Sequence, residues 1–160
     1  MYVNFWHFLT LDPQTKEYIR LRGRKMNEKF RESFPLCRNN RGMIAVGSDG
    51  QVYPCLQMSG FLLEHGKSFG NVKTEGLQRI LQGSDYMTEV CATVHDLTSV
   101  NEECGNCPHL QDCCGGCRAL AIVTDGGLRG SDRASCLFYK NHYPEKIAQA
   151  LSEYKESCAK

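Results

Sequence analysis

The sequence predicts a small α+β domain, cysteine-rich, with two β-hairpins, short helices and a C-terminal helix around metal or cluster sites. Three observations predict it. Ten of the 160 residues are cysteine, and six of those lie between Cys104 and Cys136. Two pairs of short β-favouring runs flank turn signals, at Asp12-Pro13-Gln14-Thr15 and at Gly47-Ser48-Asp49-Gly50. Hydrophobic residues reach only 41% with the cysteines counted, beside 15 glycines, so crosslinks through metal or sulfur are expected to supplement burial.

Taken in order, Tyr2–Leu11 is rich in aromatic and β-favouring residues, and Glu17-Tyr18-Ile19-Arg20-Leu21-Arg22 alternates apolar with charged positions, as a half-buried strand does. Gly23 ends this first hairpin. Lys25–Ser33 is polar and reads as a short surface helix stopped before Pro35. Met43-Ile44-Ala45-Val46 and Gln51-Val52-Tyr53 form the second hairpin, whose Asp-Gly is a strong turn signal. Cys37 precedes that hairpin and Cys55 follows it, so the hairpin is expected to make them neighbours. After the Gly70-Asn71-Val72 step, Leu77, Ile80 and Leu81 mark a helix with Thr74 as its N-cap, and Ser84 caps a second stretch, Asp85–Val90. Cys114–Val123 reads as helical, closed by Gly126 and Gly127. Pro144–Ser157 is the best helix, with Pro at its first turn and Ile147, Leu151 and Tyr154 on one stripe. The expected division is an N-terminal hairpin and linker over 1–34 and a cysteine-rich domain over 35–160.

Charge excludes some partners. The 19 basic and 18 acidic residues leave a net charge of +1, which builds no nucleic-acid or membrane surface. No stretch approaches the roughly 20 apolar residues of a membrane span, and Phe5-Trp6-His7-Phe8-Leu9 lacks the flanks of a signal peptide. The expected compartment is therefore the reducing cytoplasm, where cysteines serve metal or catalysis rather than disulfides.

The cysteine spacing suits metal. Cys104-Gly-Asn-Cys107 is a C-x2-C knuckle, in which two thiolates face one centre while backbone amides point at the sulfurs. Cys114 and Cys117 form a second C-x2-C, and Cys113 and Cys117, at i and i+4, would share one face of a helix. Four cysteines, 104, 107, 114 and 117, would satisfy a structural zinc. Adding Cys37, Cys55, Cys113 and Cys136 offers more sulfur than one zinc can use, and two four-thiolate clusters need about eight ligands. Spacing alone leaves both readings open. His109, inside the cysteine loop, is a further donor, though a loop histidine more often bonds backbone or solvent. Cys91 and Cys158 read as small hydrophobes. The Phe5-Trp6-Phe8 group reads as hairpin core, or as a docking face if exposed.

Cys37, Gly50-Gln-Val-Tyr-Pro-Cys55, Cys104-x2-Cys107-x5-Cys113-x3-Cys117 and Cys136 together resemble the seven-cysteine signature of the SPASM domain. That domain is the C-terminal extension of many radical SAM enzymes that mature ribosomally made peptides and proteins. The resemblance runs from about Cys37 to Tyr143 and takes in Gly70-Asn71-Val72 and Gly115-Gly116-Cys117-Arg118. It implies two [4Fe–4S] clusters, with zinc as the alternative metal. Cys37, Cys55 and Cys117 would ligate the first, and Cys104, Cys107, Cys113 and Cys136 the second. Some members carry another cysteine shortly after the first one, but Arg38–Ser48 contains none. Cys91, Cys114 or Cys158 would fill the gap, unless the position stays open to substrate. Leu56 stands where sulfatase-maturing members often have Asp.

The resemblance also implies a function: an auxiliary cluster domain serving electron transfer or substrate positioning, partnered by a radical SAM core and a peptide or protein substrate. The chain has no C-x3-C-x2-C triplet, so radical generation by this chain alone is not expected. The alternative is a zinc-stabilised interaction module without redox chemistry.

Overall fold

A computed structural model describes residues 9–11, 18–21, 33–37 and 43–158. The architecture is a small α+β fold in which short helices dominate and strands occur as two antiparallel pairs. The first hairpin pairs β1, Leu9–Leu11, with β2, Tyr18–Leu21, through Leu9↔Leu21 and Thr10↔Arg20, with a bulge at Thr10/Leu11. Its predicted turn, the Phe5-Trp6-Phe8 group and all but Ser33 of the predicted Lys25–Ser33 helix lie outside the described residues.

The second hairpin pairs β3, Ala45–Val46, with β4, Val52–Tyr53, in the register Val46↔Val52, and Gly50 N–H donates to Gly47 O in the turn between them. Gly50 closes it at φ +91°, with Asn71 so near that an added Cβ would stand 2.5 Å from its Oδ1. The Gly70-Asn71-Val72 step runs along this hairpin. Val52 N–H donates to Gly70 O at 2.8 Å and Val72 N–H to Gly50 O at 2.9 Å.

Helices follow almost without pause. They are α1 Leu56–Glu64, α2 Leu77–Leu81, a π-helical turn Tyr86–Val90, α3 Val94–Thr98, α4 Glu102–Gly105, α5 Leu110–Cys113, α6 Arg118–Asp125, α7 Arg133–Lys140 and α8 Tyr143–Cys158. Helix α1 escapes prediction, although Met58 and Leu62, at i and i+4, are the two residues it buries. Helix α3 starts with a capping box, Thr93 and Asp96 bonding each other's backbone amides. The N-cap of α2 is Gly76, not Thr74, whose hydroxyl is taken by the Asn71 carbonyl in the preceding turn. Likewise Ser84 bonds Asp85 and caps nothing.

The largest departure is at Cys114–Cys117, predicted as helix. Cys114, Gly115 and Gly116 take φ of +51°, +83° and +74°, so α5 stops and α6 begins only after Cys117. Cys113 and Cys117 therefore end one helix and begin the next instead of sharing a face. In α8, Ile147 and Leu151 are half-buried but Tyr154 is exposed, so the predicted stripe covers the core only at its start. Among the described residues no helix is long and apolar enough to cross a membrane.

Two apolar cores result. One joins Leu36, Ala92, Val94, Leu97, Leu110, Cys104 and Cys114, with Cys107 packed on it. The other joins Tyr53, Met58, Leu62, Ala119, Ile122 and Cys55, with Cys117 packed on it. Residues 34–36 reach the first core by antiparallel pairing with 92–94, Leu36 N–H donating to Ala92 O and Val94 N–H to Phe34 O, both at 2.9 Å. Leu97 is fully buried there. Leu97→Ala should therefore cost about 2–5 kcal/mol of stability, read as a lower midpoint in denaturant unfolding of the metal-free chain.

Candidate metal centre

The predicted ligands gather in two places. Cys55 is the N-cap of α1 and Cys117 the N-cap of α6, and these helices pack side by side through Met58, Leu62, Ala119 and Ile122. Both positive helix ends therefore carry a cysteine at the same place. The amides of Gln57 and Met58 face the Cys55 sulfur. Cys37 lies close enough, with Cys117, for their charges to act on Cys55. The hairpin alone does not bring Cys37 there. Its backbone is steered by the Leu36–Ala92 pairing, a contact between segments more than 50 residues apart.

The second set lines a single cavity. Cys104 from α4, Cys107 from the following loop, Cys113 at the end of α5 and Cys136 from α7 all face it, with His109, Asp132, Ser135 and Tyr139. Asn101 caps α4 by accepting from Cys104 N–H at 3.0 Å. Tyr139 O–H donates to Asp112 O at 3.1 Å, holding α7 on α5. At the rim, Glu103 joins Arg133 at 2.6 Å and Lys140 at 3.3 Å, tying α4 to α7. Those cations hold its carboxyl below the usual range, Arg133 first.

Asp132 and Arg118 stand between the two places. Sequence reading assigned Asp132 no role, although Asp132-x-x-Ser135 is an N-cap pattern. The carboxylate is 2% exposed. It accepts from Cys117 N–H at 2.8 Å, from Ser135 N–H at 3.0 Å and from Ser135 O–H at 2.6 Å. One residue thereby fixes the N-terminus of α6, which carries a first-set cysteine, and that of α7, which carries Cys136. An added Cβ on Gly116 would lie 2.5 Å from Asp132 Oδ2, so the left-handed turn and this carboxylate fit only with glycine between them.

Arg118, 1% exposed, donates from Nη1 to the carbonyls of Leu128 and Gly130, each at 2.8 Å. Its Nε and Nη2 meet no acceptor among the described residues. Burial lowers its pKa, while Asp132, Cys104, Cys113 and Cys117 act against that fall. A buried cation of this kind calls for anionic neighbours, and thiolates of both sets are placed to supply them.

In the thiol state the reverse holds. Burial pushes Cys113 up from 9.0 to about 12, with Cys136 adding to it, and raises Cys55, Cys104 and Cys136 as well. Among the described residues no three His, Cys, Asp or Glu close on a site for one ion. A cluster is wider than an ion, since its irons and sulfides fill the space between thiolates, and a cavity ringed by four sulfurs suits that donor chemistry. Cys114 is fully buried in the first core and its thiol donates to Gln111 O at 3.3 Å. Cys91 is half-buried at the end of the π-helical turn, and the Cys158 side chain lies outside the described residues.

Comparison with known families finds that residues 37–108 match SPASM, an iron–sulfur cluster-binding domain. Cys113, Cys117 and Cys136 follow the matched segment. No curated protein and no solved structure matches the chain.

Two outcomes are expected. Asp132→Ala leaves buried donors at both helix starts unpaired and should cost about 1–3 kcal/mol, with Asp132→Asn recovering part, as read by denaturant unfolding. For pH, a thiol whose pKa is raised by folding stabilises the fold below its unfolded value and loses that contribution as pH rises through the folded one. Metal-free protein should therefore lose stability from pH 9 toward about 12, set by Cys113, as measured by unfolding midpoints across that range.

Proposed function

Because residues 37–108 match the SPASM iron–sulfur cluster-binding domain, we propose that the chain carries two [4Fe–4S] clusters and serves a radical SAM peptide- or protein-modifying system. Cys104, Cys107, Cys113 and Cys136 hold one cluster, and Cys37, Cys55 and Cys117 hold the other. The observation that supports this most is the convergence of four cysteines, from three helices and a loop, on one cavity.

Such clusters, when bound, supply one-electron transfer. The chain's own groups prepare the sites for it. To hold a cluster, each of these thiols would have to give up its proton to solvent, against the burial that keeps Cys113 protonated. The N-termini of α1 and α6 and the Arg118 guanidinium stabilise the negative charge that remains. The two apolar cores exclude water from one side of each site. The chain contributes no C-x3-C-x2-C triplet. The radical step is therefore assigned to a partner domain or protein, and this one passes electrons to it or positions the peptide beside it.

Anaerobic reconstitution followed by iron, sulfide and zinc analysis tests this reading. About eight iron and eight sulfide per chain are expected, with broad visible absorbance that bleaches on reduction by dithionite. Cys113→Ser should remove about half of the iron and leave the remainder. Stoichiometric zinc without sulfide, in anaerobically prepared protein, would overturn it in favour of a zinc-stabilised module.

A further inference from the structure

The first set has three cysteines where a cluster has four irons to ligate, and the stretch 38–48 that follows Cys37 holds no further cysteine. The antiparallel pairing of residues 34–36 with 92–94 addresses this gap. Its bridge is Pro35↔Thr93, and its hydrogen bond from Leu36 N–H to Ala92 O is 2.9 Å long. Cys37 and Cys91 each lie one residue beyond this hydrogen-bonded pair, Cys37 following Leu36 and Cys91 preceding Ala92. Leu36 and Ala92 both turn into the first core, 1% and 4% exposed, while Cys37 and Cys91 are only half-buried. Cys91 has already left extended backbone, at φ −89° and ψ +10° as the C-cap of the π-helical turn, and neither cysteine is among that core's buried residues.

The backbone at Cys91 is held from its other side too. Its N–H donates to Tyr86 O at 3.2 Å, closing the π-helical turn. Turns of this type insert one extra residue per turn and occur often at functional sites. Tyr86 is buried beside this corner. Its hydroxyl is pushed up to about 12, by burial first and then by the charges of Cys91, Cys37 and Cys55. That places Cys91 in the same neighbourhood as two of the three first-set cysteines, while Cys55 in turn feels Cys37 and Cys117.

We infer that Cys91 is the fourth thiolate of the first cluster, completing the set Cys37, Cys55, Cys91 and Cys117. The inference rests on the proposed two-cluster reading and adds to it a ligand drawn from the π-helical turn. Binding costs the Cys91 thiol its proton, which passes to solvent, and forms one sulfur–iron bond. No iron of the first cluster is then left open to substrate.

The test compares anaerobically reconstituted wild type with Cys91→Ser and Cys91→Ala. Iron, sulfide and electron paramagnetic resonance of the iron are measured, and every cysteine is mapped by alkylation before and after chelation of the iron. The expected result is the loss of between about one and four iron per chain in both variants. A three-iron signal or a missing first cluster should accompany it, with the second cluster intact. In wild type, Cys91 should resist alkylation together with Cys37 until the iron is chelated, a readout that holds even if the variants fold poorly. Full iron and sulfide in the variants, or a Cys91 that alkylates freely in the loaded wild type, would overturn the fourth ligand while leaving the two clusters standing. A wild type that takes up no iron and sulfide would overturn the cluster reading and this ligand with it.

Discussion

The buried carboxylate of Asp132 is the interaction on which both cysteine sites depend. It accepts from the Cys117 amide and from the amide and hydroxyl of Ser135. In this way it joins the first turn of α6 to the first turn of α7. A carboxylate kept from water is costly unless its oxygens are filled by donors, and here the donors are the helix starts that need an acceptor. The arrangement is mutually dependent: without Asp132 two helix N-termini lose a partner, and without those N-termini Asp132 would be an unsatisfied charge. Since Cys117 heads one helix and Cys136 rides on the other, this one side chain ties a cysteine of one place to a cysteine of the other.

The left-handed turn at Cys114-Gly115-Gly116 does the complementary work of separation. A continuous helix would have stacked Cys113 beneath Cys117 on one face. Three successive residues at positive φ reverse the chain instead, so Cys113 closes α5 and faces the cavity while Cys117 opens α6 beside Cys55. Gly115 and Gly116 make the reversal sterically accessible. Their missing side chains also leave room for Leu36 and Leu97 on one side and for Asp132 on the other.

Charge connects the two places. Arg118 is almost wholly enclosed, has two nitrogens without acceptors among the described residues, and lies within reach of thiolates from both sets. In the metal-free protein burial keeps these thiols protonated, so they lend the buried guanidinium no negative charge. Ligation that left the sulfurs anionic would supply that charge, and on the proposed reading it would couple folding to metal uptake.

The sequence by itself determined which iron–sulfur domain family this chain resembles. Cysteine spacing, the Asp-Gly turn and the Gly-Gly-Cys-Arg segment are local patterns, and the resemblance they carry agrees with the family match over residues 37–108. Both hairpins, the helix near Leu77–Leu81 and the C-terminal helix were legible for the same reason, because turn residues and short-range periodicity act within a few positions. What the tertiary structure alone decided is long-range. Thr74 looked like a helix cap, yet it serves the Asn71 turn that docks on the hairpin. Cys114–Cys117 looked helical, yet packing against Leu36, Leu97 and Asp132 selects the left-handed turn. Cys37 comes within electrostatic reach of Cys55 from a segment, residues 34–36, that is held by pairing with 92–94. Asp132 draws its role from partners at Cys117 and Ser135, one of them 15 residues away. A residue's spacing to its neighbours is written in the chain. Its partner across the core depends on how distant segments close on one another, and that follows from burial and hydrogen bonding in three dimensions.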